Sequence, residues 1–393
     1  MRYFTAGESH GPGLTAILEG MPSHVPLNLS QINQQLARRQ QGYGRGDRMK
    51  IESDSVRITS GVRHGKTLGS PIALWIENKD HAAWADEMSP VAVRGFQSKR
   101  CIFYPRPGHA DLNGGLKYDH TDLRNVLERA SARETAVRVA VGALCLQFIS
   151  TFNVSVTAHV IQIGGVGISK GRPDFSVINQ KQQKSPVRCI DDAASKKMMA
   201  VIDKAKKAGD SVGGIFEVIF SGIPTGLGSH VQADRKLDAI MARTVMSIQA
   251  VKGVEIGMGF LAAELLGSKV HDGIYYDRKN KKFRRRTNNA GGFEGGMTTG
   301  ENIVIRGVMK PISTLLKPLE SVDVHTKKTC RASVERSDIC AVPAAAVVAE
   351  NILCIDVASA ILEKFGGDSL KEVLKNYGAY CKYLSTCYPA RHK

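Results

Sequence analysis

Two histidines of this chain lie on glycine-marked stretches: His10 in FTAGESHGPG and His109 in YPRPGHADLNGG. Imidazole takes and gives protons near neutral pH, and a histidine on a glycine-flanked loop is well placed to meet a ligand. Ser9 and His10 do not read as a nucleophile and its base, because adjacent residues of an extended chain face opposite ways. The stretch also lacks the G-x-S-x-G elbow of the hydrolases and the lysine of a phosphate-binding loop.

Arginines accompany both histidines. In ARRQQGYGRGDRMKIES, Arg38, Arg39, Arg45 and Arg48 surround Gly42, Gly44 and Gly46. Glycine lets backbone approach an anion, and guanidinium forks bind phosphate or carboxylate in pairs of hydrogen bonds. Arg106 stands between two prolines that stiffen its backbone and aim its side chain. Arg129 and Arg133 are four residues apart in RNVLERASARETAVR, a spacing that predicts one helix face. If buried there they need a counter-anion, and Glu128 and Glu134 are the neighbouring acids.

The glycines of NNAGGFEGGMTTGE can form a nest of backbone amides, and Lys310, Ser313 and Thr314 follow. Arg336 and Asp338 precede a helix opened by Pro343, whose N-terminus favours either Asp338 as a cap or an anionic ligand as its partner. Together these residues suit a phosphorylated, carboxylated substrate with phosphate as leaving group. Arginines would hold the anions and histidines would move protons.

The elements that must carry them follow from periodicity. Ser30 is expected to cap a helix with Ile32 and Leu36 inward. A long buried helix is expected from Asp122 to about Phe152. Asp234 is expected to cap another helix, with Leu237, Ile240, Met241 and Val245 inward. The Pro343 helix runs toward Gly366, and an amphipathic helix carrying Leu370, Val373, Leu374 and Tyr377 closes the chain. Strand-like stretches (VRITSGV, SPIALWIE, VSVTAHVIQIGGV, GGIFEVIFSGI, VEIGMGF, NIVIRGVM) lie between, without strict strand–helix alternation. Layers of antiparallel sheet on long helices are therefore expected, rather than a dinucleotide-binding fold.

The chain has 393 residues and a formal net charge of +17, which points to an anionic partner. The densest basic run, DRKNKKFRRRT, reads as an exposed hairpin tip, and no nucleic-acid-binding motif accompanies it. Eight scattered cysteines, with no C-x-x-C and no zinc spacing, read as reduced, mostly buried thiols and no metal site. The apolar tract Ala341 to Leu362 is interrupted by Glu350, Asn351 and Asp356 and reads as a core helix. With no apolar leader, a cytoplasmic protein off the membrane is expected.

The motifs GESHG, RRQQGYGRGDRMKIE, SGVRHGKTLGSPIAL, RPGHADLNGGLKY, NVLERASARETA, AGGFEGGMTTGE, MKPISTL and ERSDICAVPAA resemble, in order, those of the chorismate synthase family. The resemblance runs from about residue 1 to 365. It implies an α+β fold, a β-α-β sandwich of antiparallel sheets enclosing long central helices. Residues 1–366 would form one catalytic domain and 367–393 a peripheral helix or tail. The implied activity is anti 1,4-elimination of phosphate from 5-enolpyruvylshikimate 3-phosphate, giving chorismate with reduced FMN and no net redox change.

By the same resemblance, His10 and His109 protonate the reduced flavin and the departing phosphate, and Asp338 helps the flavin accept the substrate's proton. Arg39, Arg45, Arg48, Arg106, Arg133 and Arg336 match substrate-binding positions. Arg129, Ala130, Ser131, Gln249, Ala250, Gly295, Lys310, Pro311, Ile312, Ser313, Thr314 and Arg336 match flavin-contact segments. Arg39 and Arg45 also match positions assigned to NADPH, a possible flavin reductant. A homotetramer supplied with reduced flavin from outside is implied, with neither nucleic acid nor membrane as partner. Two departures stand out: His81 replaces a common aromatic, and Ala130 a common serine.

Overall fold

Alternation of apolar and polar side chains builds the first sheet. In the strands Gly13–Glu19 and Ile72–Glu77, Leu14, Leu18, Ile72, Leu74 and Ile76 are fully buried on one face. With Arg2–Ala6 and Val56–Ser60 they form a four-stranded antiparallel sheet, in the order 2–6, 13–19, 72–77, 56–60. The second sheet has five strands, ordered Val251–Ile256, Ile303–Met309, Gly214–Ser221, Ser155–Ile163 and Val166–Gly167. Its pairings are also antiparallel, and Phe216, Val218 and Phe220 point inward. The computed structural model describes residues 1–46, 53–168, 174–335 and 337–388.

Two helices fill the space between the sheets. Thr135–Ser150 packs on the first sheet and Val342–Phe365 on the second, and the two pack on each other. Both carry apolar side chains around most of their circumference, as a helix enclosed by other elements must. Val342–Phe365 is long and apolar enough to cross a membrane, but 89% of its most apolar window is buried inside the protein. The expected sandwich of antiparallel sheets around long helices is what forms, and both sheets and both helices contribute to one hydrophobic core.

The polar residues inside that helix have partners. Glu350 pairs with Arg38 of the helix Leu29–Gln40 and accepts from the Ala158 N–H of the second sheet at 2.9 Å. Asn351 donates to Val347 O, and burial pushes the Asp356 carboxyl up to about 7 against its bond with Thr244. The two helices meet where Gly142 passes Asn351. A methyl on Gly142 would lie 2.2 Å from the Asn351 carbonyl oxygen, so only glycine fits that approach.

Several expectations are corrected. Asn28, not Ser30, caps the first helix, accepting from the Ser30 and Gln31 N–H groups. The expected 122–152 helix breaks into Arg124–Ala130, a short turn at Ala132–Glu134, and Thr135–Ser150. Ser131 takes extended backbone and its side chain accepts from Arg133 N–H, which ends one helix and starts the next turn. Asp234 lies in a turn before the helix Leu237–Met246 and does not cap it. Of the eight cysteines, Cys145, Cys189, Cys340 and Cys354 are buried, and Cys101 and Cys381 are exposed.

Other expectations hold. The basic run forms the hairpin Ile274–Asp277 with Lys282–Arg285. The last helix, Leu370–Thr386, opens on a capping box of Ser369 and Glu372, with Val373 buried and Tyr377 edge-on to Phe152 and Phe365.

Gly142→Ala is expected to lower the unfolding free energy by about 1–3 kcal/mol, the usual cost of overpacking. Urea unfolding checks this. Stability equal to the parent would show that the helices separate here at no cost.

Candidate active site

The N-termini of the two central helices open on the same side of the molecule. The end of the first helix and the segment after it span both: Arg39 donates to Thr135 Oγ1 and Ala132 O, while a Cβ on Gly42 would touch Pro343 at 3.1 Å. The positive ends of two helix dipoles therefore face one region, where anions are favoured. The candidate residues line it.

His10 leaves the first strand and meets Glu128 of the helix Arg124–Ala130. Its Nδ1 lies 2.8 Å from Glu128 Oε1, and its backbone N–H donates to Oε2 at 2.8 Å. The ring stacks on Trp84, centroids 3.9 Å apart, and Arg100 stacks on the same tryptophan. Ser9 goes elsewhere, its hydroxyl 3.2 Å from that of Ser131, so the two neighbours diverge as expected. His81 contacts the His10 carbonyl through Nδ1 at 2.9 Å.

His109 is held in the same manner. Its Nδ1 lies 2.5 Å from Asp111 Oδ1, and Asp111 is fully buried. Arg106 forks onto that carboxylate through Nε and Nη2, donates to Thr314 through Nη1, and sets Nη2 against the His109 ring. Burial alone would raise the Asp111 pKa. The hydrogen bond from His109 and the Arg106 guanidinium outweigh it and hold the carboxyl well below the usual range. Arg106 is aimed as its flanking prolines suggest, and its anchor is this internal acid.

Arg129 and Arg133 do not share a face, because the helix breaks between them. Arg129 reaches back to Thr5 O, Thr5 Oγ1 and Gly7 O on the first strand and the loop after it. Arg133 turns inward to Asp54 at 2.6 Å and to Asn78 Oδ1 at 2.8 Å. Asp54 also pairs with Arg39 at 3.2 Å, so one buried carboxylate joins two of the expected substrate arginines. Asn78 in turn donates to Glu8 O and Gly11 O, tying Arg133 to the His10 loop.

Asp338 is not a helix cap. It accepts from Gly46 N–H at 2.7 Å and pairs with Arg45 at 2.9 Å, locking the glycine loop onto the entry of the Val342–Phe365 helix. Ser337 donates to Thr314 O, which joins this wall to the Arg106 anchor. Arg48 and Arg336 lie outside the described residues.

The remaining segments connect. Lys310 donates through Nζ to Gly108 O and through its backbone to Ala250 O. Burial, and then the nearby Lys252, lower its pKa. Ile312 O accepts from Ser211, and a Cβ on Gly108 would meet Ser313 at 3.5 Å. Ala250 holds a φ of 66°, a strained value for a residue with a side chain. Gln249 donates to Glu134, and its amide oxygen is buried with no hydrogen-bond partner among the described residues. Ala130 and Ser131 end the helix that carries Glu128 and Arg129. Gly295 stands apart, in the turn of the hairpin Phe293–Glu294 and Met297–Thr298, beside His230. Among the described residues no group of three or more His, Cys, Asp or Glu is placed to hold a metal. The cavities of about 570 and 340 Å³, lined around Gln31 and Gln147 and around Met258 and Asn289, are both elsewhere.

Comparison with known proteins decides the family. The chorismate synthase family profile matches residues 1–362. The chain belongs to the chorismate synthase family. It is 58% identical over 387 residues to the chorismate synthase of Geobacillus sp. strain WCH70, covering 98% of this chain and 99% of that one. It is 55% identical over 390 residues to that of Geobacter sulfurreducens, with the same coverage. A crystal structure of a chorismate synthase superposes with a TM-score of 0.79 at 42% identity, covering 98% of each chain. Chorismate synthases are lyases, flavin-dependent as a family, that close the shikimate route toward the aromatic amino acids. Residues absent from the sequence reading are Asp54, Asn78, Trp84 and Asp111, and Glu128 figured there only as a counter-ion.

The depressed carboxyl of Asp111 stabilises the folded state above its ordinary pKa of 3.8, and that contribution is lost as pH falls below it. Asp111→Asn should therefore be less stable than the parent at pH 7, with the gap closing as pH drops from about 4 toward 2. Thermal midpoints across that range check it. A gap that does not change with pH would remove the ionised carboxylate from the account.

Proposed function

We propose that this chain converts 5-enolpyruvylshikimate 3-phosphate to chorismate and phosphate by anti 1,4-elimination, with reduced FMN and no net redox change. The C3–O bond to phosphate and the C6–H bond break, and the electron pair left at C6 completes the diene. The observation that carries this reading is the matched pair of histidines. Each has Nδ1 on a buried carboxylate, and both stand in one arginine-lined region at two helix N-termini. His109 beside Arg106 would protonate the departing phosphate; His10 would serve the flavin; Asp338, beside Arg45, would assist in taking the substrate's proton. Arg39, Arg45, Arg48, Arg106, Arg133 and Arg336 would hold phosphate and carboxylates.

The residues present fit a flavin. The buried, unpartnered oxygen of Gln249 suits a ring N–H, and Arg129 and Lys310 suit its phosphate. Ala130, Ser131, Ala250, Arg336 and the 311–314 segment would complete the contacts, and Gly295, which stands apart in this chain, would not. Bound reduced FMN supplies electron density that eases phosphate departure. NADPH at Arg39 and Arg45 would be a route to reduced flavin, with an external reductant as the general source. Residues 1–366 would form the catalytic domain and 367–393 stand outside the chemistry. Phe260 and Leu266, each 78% exposed beside Leu261 and Leu265, suit assembly into a homotetramer.

The test is anaerobic turnover with dithionite-reduced FMN, following chorismate absorbance and released phosphate. Many equivalents of both products per flavin are expected. Reductant consumed in step with product would instead indicate net hydride transfer. His10→Ala should lower turnover about 100-fold or more while changing FMN affinity little, as removal of a general acid–base group does. Near-normal turnover would remove His10 from the mechanism.

A further inference from the structure

His10 is held by a carboxylate that comes from 118 residues away in sequence and is more deeply buried than the histidine itself, 2% against 8% exposed. Glu128 Oε1 and Oε2 lie 2.8 and 3.0 Å from Nδ1, and Oε2 also receives the His10 backbone N–H. Arg124 stands 3.6 Å from the same carboxylate and pairs with Glu335 at 2.8 Å. A carboxylate that faces a backbone N–H and a guanidinium accepts, so the ring nitrogen it meets must donate. Trp84 fixes the plane of the ring. Rotation about χ2 and exchange of the ring hydrogen are thus both restricted before any ligand arrives.

We propose that Glu128 is the positioning residue for His10: it keeps the hydrogen on Nδ1 and presents Nε2 as the nitrogen that exchanges the catalytic proton. The proposal rests on the reading of His10 as a proton-transfer group. Glu128 is buried behind the ring and bonded to His10, so it would act through the imidazole. Its geometry explains why a carboxylate is required and an amide of equal size is not enough. Two donors, the His10 N–H and Nδ1–H, converge on it, and a glutamine offers one oxygen. With glutamine, either a donor faces the NH2 group or the ring surrenders its hydrogen to Nε2.

The test uses the full chain with Glu128→Gln, His10→Ala and the double variant. In Glu128→Gln, kcat should fall about 100-fold, with KM and oxidised-FMN affinity changed by less than about threefold. In the His10→Ala background the same substitution should cost nothing further, because a residue acting only through His10 has nothing left to position. Equal losses in both backgrounds would overturn the proposal.

A second readout needs no ligand: the rate at which diethyl pyrocarbonate modifies His10, followed on its peptide by mass spectrometry. Glu128→Gln should slow it at least about fivefold, because Nε2 loses its lone pair when it takes the hydrogen. An unchanged rate would overturn the proposal whatever the turnover. If His10→Ala turns over normally, the functional reading fails, and the labelling rate alone decides whether Glu128 positions the ring. Should Glu128→Gln not fold, Glu128→Asp serves, since its shorter arm cannot reach both donors. Parent-like turnover and labelling there would overturn the proposal.

Discussion

Too much positive charge in a small space is the condition that this structure has to meet. Arg39, Arg45, Arg106, Arg133 and two histidines line one region, at the positive ends of two helices. Left alone the guanidinium groups would repel one another and swing toward water. Asp54, Asp111, Glu128 and Asp338 prevent that, each taking one or two of these basic side chains in fixed geometry. A buried cation deprived of its partner typically costs several kcal/mol, so the four acids are as necessary to the arrangement as the basic groups. The result is a set of side chains whose directions are decided before a ligand binds, which is the form of preorganisation that catalysis of charge-separating steps requires.

The acids differ in how they are delivered. Asp111 is local, two residues beyond His109 at the start of a short helix. Glu128 and Asp54 arrive from distant segments, and Asp338 arrives from just before the second central helix. The site is therefore assembled only when both layers have closed on the helices between them. Asn78 adds a neutral link, reading out the closure of the first sheet by binding Arg133 with its oxygen and the His10 loop with its nitrogen.

Much of this was legible in the residues themselves. Pro343 and Gly366 bracket the second central helix as their conformational preferences demand, and the apolar run between them has the length and composition of an enclosed helix. The loop histidines and most of the loop arginines do converge. What sequence did not reveal depends on distance or on competition between equals. Asp54 sits in an unremarkable polar stretch, and only tertiary closure brings it between Arg39 and Arg133. Asn28 and Ser30 are both good caps, and the carbonyl and N–H groups within reach chose the former. The break at Ser131 had a local signal, a cap-forming side chain, but the apolar periodicity that continues past it concealed the change of direction. Asp338 was ambiguous for a physical reason: a carboxylate near a helix start can bond that helix or an adjacent cation, and Arg45 is supplied by a loop far away in sequence.

The glycine at position 142 has a reach beyond its own contact. The two central helices come closest there, and the segments leading into them carry candidate residues, Arg133 before the first and Asp338 before the second. That close approach sets the spacing of the helices, as a pivot sets the spacing of its arms. A small wedge at the pivot would open the far ends by a larger amount, like the jaws of a pair of tongs. The spacing between the Arg133 and Asp338 segments is thus gauged by a missing methyl group more than a helical turn away from either of them.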